Sequence, residues 1–193
     1  MLVQPNAVER ANTSVVVLNG GSSSGKSSIA RCLQNLLGAT WLTLGVDDLI
    51  RALPGGDKQP GAKPSIDLMP DGSVTVGKDF RRAEAAWYRG LATIGRSGTG
   101  LIIDEVFLKG KSSQERLAEA LSSLAVLWVG VRCAPDVAAA RERGRPDRVI
   151  GMARLQAERV HNRVHYDLVV DTTYTSSLDC ATSIAAQLVP IEK

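Results

Sequence analysis

Residues 20–27 read Gly-Gly-Ser-Ser-Ser-Gly-Lys-Ser, and few folds can use such a run. The Gly-x-x-x-x-Gly-Lys-Ser spacing needs a strand before it and a helix after it. Both flanks are present. Ser14 to Leu18 is a continuous apolar run rich in β-branched residues, the pattern of a parallel strand covered on both faces. From Ser27 the pattern turns helical, with Ile29, Leu33, Leu36 and Leu37 on one stripe and Gly38 as a stop. Glycines let the loop curl until successive N–H groups face inward, and the helix start adds its positive dipole end. Such a loop is built to cradle phosphates. Gly20, Gly21, Ser22, Ser23, Ser24, Gly25 and Ser28 are therefore expected around a bound nucleotide. Lys26 is expected to reach the β- and γ-phosphates, and the Ser27 hydroxyl to ligate Mg²⁺. ATP and Mg²⁺ are the predicted cofactors.

The rest of the chain alternates strand and helix patterns. Apolar runs at Trp41–Leu44, Leu101–Glu105, Val126–Val131 and Leu168–Asp171 are read as strands. Helical patterns cover about Lys78–Arg96, Ser112–Leu121, Asp136–Arg143, Val149–Arg163 and Leu178–Leu188, with Ser112 or Ser113 as the cap of the second. Residues 54–64 hold too many Pro and Gly for anything but a loop, and Ile66–Met69 with Ser73–Val76 flank Pro70-Asp71-Gly72 as a small hairpin. This order predicts an α/β fold of the P-loop NTPase kind, a five-stranded mainly parallel sheet flanked by helices with an Arg-rich lid. Residues 1–13 are read as a flexible extension and 14–193 as one domain.

Asp104 ends a strand, as an acid that holds Mg²⁺ through water should, because strand C-termini face the ligand crevice in such sheets. Asp47 and Asp48 follow the second strand onto the same edge. One of them suits the carboxylate that accepts a hydroxyl proton and aims the alcohol in line, and the alternative for either is a helix cap. Arg141, Arg143, Arg145 and Arg148 crowd one stretch with Gly144 and Pro146, where arginines can cover phosphates and neutralise transition-state charge. Arg141, Arg145 and Arg148 are expected at the nucleotide, Arg141 and Arg145 with a catalytic part. Trp41, Trp87, Trp128 and Phe107 are read as core, with a place in an acceptor pocket as the alternative for Trp87.

The 23 basic and 20 acidic side chains leave a charge of +3, which demands neither a nucleic acid nor a membrane. No apolar run has transmembrane length, and the expected compartment is the cytoplasm. Cys32, Cys133 and Cys180 lie in apolar segments without metal-ligand spacing and are read as small buried hydrophobes. His161 and His165, four apart, lack the acid that would complete a zinc pattern. The expected partner is a small hydroxylated acceptor, with self-association left open.

The chain resembles the chloramphenicol phosphotransferase family from Val15 to Pro190. The resemblance rests on residues 18–27, Gly-Val-Asp at 45–47, Ile-Ile-Asp at 102–104 and Val-Phe-Leu at 106–108. It continues through Leu-Trp-Val-Gly-Val-Arg-Cys at 127–133 and Val-Asp-Thr-Thr at 170–173. It implies ATP-dependent phosphorylation of a primary hydroxyl of the antibiotic, a fold like that of shikimate and nucleoside-monophosphate kinases, and Asp47 rather than Asp48 as the general base. It also implies that Arg141, Arg145 and Arg148 are the lid arginines. Glu105 departs from the pattern, standing where a second Asp is expected, and the 54–64 loop and the hairpin differ too. A kinase of another metabolite or antibiotic, or a nucleotide-binding switch, are the alternatives.

Overall fold

The apolar runs become strands in a computed structural model that describes residues 13–38, 40–54, 66–69, 73–144 and 151–188. In chain order the strands are β1 (Val15–Asn19), β2 (Trp41–Gly45), β3 (Ile66–Leu68), β4 (Val74–Val76), β5 (Gly100–Glu105), β6 (Val126–Arg132) and β7 (Leu168–Asp171). The helices are α1 (Lys26–Leu36), α2 (Val46–Ala52), α3 (Lys78–Arg96), α4 (Lys111–Ala120), α5 (Pro135–Arg143), α6 (Met152–Arg159) and α7 (Ser177–Ala185). Five strands form one sheet in the order β2-β5-β1-β6-β7, and every pairing in it is parallel. β3 and β4 pair antiparallel as the expected hairpin. The residues expected to form the N-terminal extension lie outside the described residues apart from Thr13, as does nearly all of the 54–64 loop.

Side chains alternate along β1, so each face of the sheet receives its own core. Val16 and Leu18 pack with Ile29 and Leu33 of α1 and with Ala181 and Ile184 of α7. Val15 and Val17 pack on the other face with Tyr88 and Leu91 of α3, Leu117 of α4 and Phe107. Continuous apolarity in β1 thus reflects burial on both sides; all five of its residues are buried. Each such Leu, Ile or Phe contributes roughly 1.5–3 kcal/mol when removed from water.

Register decides what stands at the functional edge. Leu18 and Gly45 both pair with Asp104, and Asn19 pairs with Glu105. A Cβ at position 45 would lie 2.3 Å from the Asp104 carbonyl oxygen, so only glycine permits β2 this approach. Asn19 locks the same edge. Its Nδ2 donates to Val160 O at 2.9 Å and to Tyr166 Oη at 2.6 Å, and its Oδ1 accepts from Phe107 N at 2.8 Å. Tyr166 Oη lies 2.6 Å from His161 Nδ1. Burial holds the His161 pKa down at about 4, so the ring is neutral at pH 7. His161 is thus a buried polar link.

Two local expectations change. The helix read over Val149–Arg163 is α6, Met152–Arg159, within the described residues; beyond it the chain turns, and Arg163 adopts a φ of +55°. Helix α4 starts from Gly110 at φ +53°, which puts Ser112 and Ser113 inside its first turn. A left-handed start favoured glycine over the serine caps. Trp87 packs on the core beside Tyr88 and lines a separate apolar groove with Leu44 and Leu49. No described helix is long and apolar enough to cross a membrane.

Glu142, 1% exposed, ties α5 to α6 across residues 145–150. Its Oε2 accepts from Gly151 N and its Oε1 from Ala153 N, each at 2.8 Å, capping the start of α6. Removing the carboxylate strands two buried amides. Glu142→Ala should therefore cost about 2–4 kcal/mol of unfolding free energy, read by urea titration, and Glu142→Gln about half as much.

Candidate active site

Loop 20–25 closes on itself, with Ser24 N donating to Gly21 O at 3.3 Å, and α1 begins at Lys26 after Gly25. Ser22, Ser23 and Ser24 are buried, whereas Ser27 and Ser28 on the first turn are exposed. Two side chains from outside hold the loop. Ser22 N donates to Gln156 Oε1 of α6 at 2.8 Å, and the Thr172 hydroxyl donates to Ser24 O at 2.7 Å. Lys26, 7% exposed, donates to Gly21 O at 3.0 Å, and its Nζ lies 3.7 Å from Asp104 Oδ1.

The Ser27 hydroxyl donates to Asp104 Oδ2 at 2.7 Å. Helix α1 supplies the hydroxyl and the end of β5 supplies the carboxylate, so the two meet because β1 and β5 are neighbours in register. Hydroxyl plus carboxylate is an oxygen donor pair suited to Mg²⁺, which takes few protein ligands and fills its shell with water and phosphate oxygens. No group of three His, Cys, Asp or Glu side chains is placed to hold a metal among the described residues. A magnesium ion here would thus need the phosphates.

Asp47 and Asp48 part company in the first turn of α2. Asp48 Oδ2 accepts from Gly45 N at 2.7 Å, and its Oδ1 pairs with Arg51, so it serves as the helix cap. Asp47 is exposed and lines the cavity that also takes in Lys26, Ser27 and Asp104. Arg141 departs from the expected place over the phosphates. It donates through Nη2 to Thr172 O at 2.7 Å and through Nη1 to Thr172 Oγ1 at 3.2 Å and Cys133 Sγ at 3.4 Å. Those bonds anchor it to the threonine that supports Ser24, so it braces the loop from behind. Arg145 and Arg148 lie outside the described residues.

The cavity, about 680 Å³, is lined by residues of the phosphate loop and also by the apolar side chains of Val46, Ile50, Val74, Val76, Phe80 and Leu108. Beside these apolar side chains sits a charged cluster unforeseen from sequence. Glu84 accepts from Arg81 Nη1 at 2.7 and 2.8 Å and from Arg116 Nε at 3.1 Å. Its signal was present: Glu84 falls with Phe80, Tyr88 and Leu91 on the buried stripe of α3, where a carboxylate needs a reason. Gln156 is a similar miss, a buried amide on a mostly polar helix.

Glu105, 2% exposed, is raised to about 8. Burial is the main cause, opposed by the Val106 amide and reinforced by Glu84 and Asp104. Tyr88 is pushed well above its ordinary range by burial and by the Glu105 and Glu84 charges. The folded state therefore holds a Glu105 proton that the unfolded chain releases above about 4.5. Stability should fall as pH rises from about 4.5 through 8. Glu105→Gln, in which no proton is lost, should match the wild type at pH 4 and exceed it in melting temperature at pH 9, without nucleotide. Equal gaps at both pH values would refute the assignment.

The family described as chloramphenicol phosphotransferase-like protein matches residues 13–189. Proteins named "Putative O-phosphotransferase" from Mycobacterium tuberculosis strains CDC 1551 and H37Rv are each 31% identical over 175 residues, covering 83% of this chain and 76% of theirs. Among solved structures, a tunicamycin resistance protein of Deinococcus radiodurans aligns with a TM-score of 0.63 at 17% identity, covering 91% of this chain and 96% of its own. A sugar kinase from Janibacter sp. HTCC2649 aligns at 0.63 and 19%, covering 91% and 94%. The Mycobacterium tuberculosis APS kinase in complex with AMPPNP and APS aligns at 0.60 and 16%, covering 92% and 98%. At such identities these structures speak for the fold alone, that of the P-loop kinases. Matched over nearly its whole length by that family, the chain belongs to the chloramphenicol phosphotransferase-like family.

Proposed function

We propose that the chain is an ATP-dependent O-phosphotransferase whose acceptor is a hydroxyl of a small molecule, chloramphenicol or a similar antibiotic. The observation that carries this reading is one cavity lined by Lys26, by the hydrogen-bonded Ser27–Asp104 pair and by Asp47. A nucleotide-binding switch would not need the apolar lining. Family membership supports the small-molecule kinase class.

In this reading Asp47 takes the proton of the acceptor hydroxyl as the alcohol oxygen bonds to the γ-phosphorus. The bond from that phosphorus to the β,γ-bridging oxygen breaks, and ADP leaves with the electron pair. Lys26, now held by Gly21 O and near Asp104, turns its charge to the phosphates, and the loop amides hold them in place. Ser27 and Asp104 would hold Mg²⁺, which supplies charge neutralisation on the phosphate oxygens. Arg145 and Arg148, lid arginines by the family resemblance, would neutralise charge on the γ-phosphate. For Arg141, support of Thr172 replaces that role.

A second acceptor class keeps its place because of the charged cluster. Glu84 with its two arginines, and Glu105 in place of the expected Asp, offer polar contacts that other hydroxylated compounds suit equally well. A panel of hydroxylated antibiotics and sugars incubated with Mg·ATP, read by mass, should show one added phosphoryl group on chloramphenicol. Addition to another compound alone would move the acceptor and leave the chemistry intact. Asp47→Asn should lower turnover about 10²-fold or more with Mg·ATP affinity unchanged by calorimetry. Near-full turnover in that variant would remove Asp47 from the reaction.

A further inference from the structure

The charged cluster on the cavity wall is satisfied at one end and open at the other. Arg116 donates through Nη1 to Ser112 O at 2.7 Å, through Nη2 to Ser113 Oγ at 3.3 Å and through Nε to Glu84 Oε2 at 3.1 Å. Each of its guanidinium nitrogens is therefore engaged within the protein. Glu84, 7% exposed, also receives Arg81 on both carboxylate oxygens, and both of those bonds leave from Nη1. In a guanidinium the edge formed by Nε and Nη2 lies opposite Nη1. Among the described residues no bond of Arg81 uses that edge. Arg81 lines the cavity that Asp47 and Asp104 line, with its side chain 29% exposed, whereas Arg116 does not line it. The Arg81 Cζ stands over the Phe80 ring, 6.0 Å from its centre.

A buried carboxylate between two arginines is a weak source of stability, because desolvation offsets most of the attraction. An apolar trio would fill the same wall at less cost. What the charged trio does supply is orientation: Glu84, tied to α4 through Arg116, fixes the plane of the Arg81 guanidinium. Two cations against one anion also leave a surplus positive charge in the cluster.

We propose that Arg81 recognises the acceptor, and that its Nε–Nη2 edge binds a planar group of two oxygens, nitro or carboxylate, on the molecule whose hydroxyl meets Asp47. The inference rests on the phosphotransferase reading above and narrows its acceptor class. Two N–H groups in one plane match two oxygens in one plane, a match that a lone hydroxyl does not offer. Phe80 beneath the guanidinium, with Val74 and Val76 on the same lining, suits a ring that carries such a group. A carboxylate would use the surplus charge in full, and a nitro group, alike in shape but without net charge, in part.

Chloramphenicol, whose ring carries a nitro group, and two analogues with hydrogen or carboxylate in its place test this. The wild-type KM for the hydrogen analogue should exceed that for the better of the other two about tenfold or more, with kcat within about threefold. Whichever of nitro and carboxylate has the lower KM names the natural group. Arg81→Met should bring that ratio to within about twofold of one, and Arg81→Lys, which keeps the charge without the fork, should retain part of it for the carboxylate alone. Calorimetry should show Mg·ATP affinity unchanged in both variants. Each ratio compares compounds on one protein sample, so a variant that folds less well still reports it. A wild-type ratio near one, or the wild-type ratio kept in Arg81→Met, would overturn the proposal. Best turnover on a compound without such a group would do the same and leave the phosphotransferase reading intact. Binding of the three compounds with Mg·ADP present, read by calorimetry, covers the converse. A preference for nitro or carboxylate that Arg81→Met abolishes, with no phosphoryl transfer by the wild type, would refute the function proposed above and leave the Arg81 site standing. A wild type that binds none of the three would overturn both.

Discussion

The close approach of β2 to β5 at Gly45 and Asp104 is the constraint on which the site depends. A side chain at position 45 would meet the Asp104 carbonyl at 2.3 Å, and β2 would have to shift away. Because glycine permits the contact, the chain leaves β2 beside Asp104 and enters α2 at once, with Asp47 in its first turn. One residue later Asp48 caps that helix through the Gly45 amide, so the turn is fixed at both ends. The carboxylate proposed to take the proton and the carboxylate proposed to meet the metal are thus positioned by one glycine.

Around this edge the protein spends polar contacts on rigidity. Asn19 joins the end of β1 to Phe107, Val160 and Tyr166, while Gln156 and Thr172 hold the loop on either side of Ser23. Arg141 stands behind Thr172, and Glu142, its neighbour in sequence, fastens α6, which carries Gln156. The phosphate loop is therefore braced by two successive residues of α5, each through an intermediary. Preorganised amides cost no reorganisation when charge arrives, which is the usual source of catalytic advantage in phosphoryl transfer. The wall proposed to meet the acceptor differs, since it includes apolar side chains of the β3–β4 hairpin, and the Glu84 charge beside them is met by Arg81 and Arg116.

The sheet was legible from sequence because its central strands carry continuous apolar runs, and Asp104 stands near the end of one of them. Lys26, Ser27 and Asp104 follow from motif spacing and topology, and they meet as expected. Asp47 and Asp48 did not separate by spacing, because one residue changes which of them reaches the Gly45 amide. Only the fold shows that. Arg141 was misplaced for a related reason. A run of arginines near a helix end reads as a phosphate cover, and nothing local reveals that Thr172, far along the chain, offers a hydroxyl and a carbonyl to it. Glu84, Glu142 and Gln156 were missed because a polar residue in a helical pattern reads as outward-facing, whereas all three are buried and bonded to residues of other elements.

Nucleotide phosphates and acceptor hydroxyl are proposed to meet in one cavity, between the Lys26–Ser27–Asp104 group and Asp47. A crystal structure with Mg·ADP, aluminium fluoride and a phosphorylatable acceptor tests it most directly. The account predicts an acceptor hydroxyl about 2.6–3.2 Å from an Asp47 carboxylate oxygen, with the fluoride group between that hydroxyl and the ADP β-phosphate. An acceptor hydroxyl held away from Asp47, or phosphates bound outside loop 20–27, would contradict it.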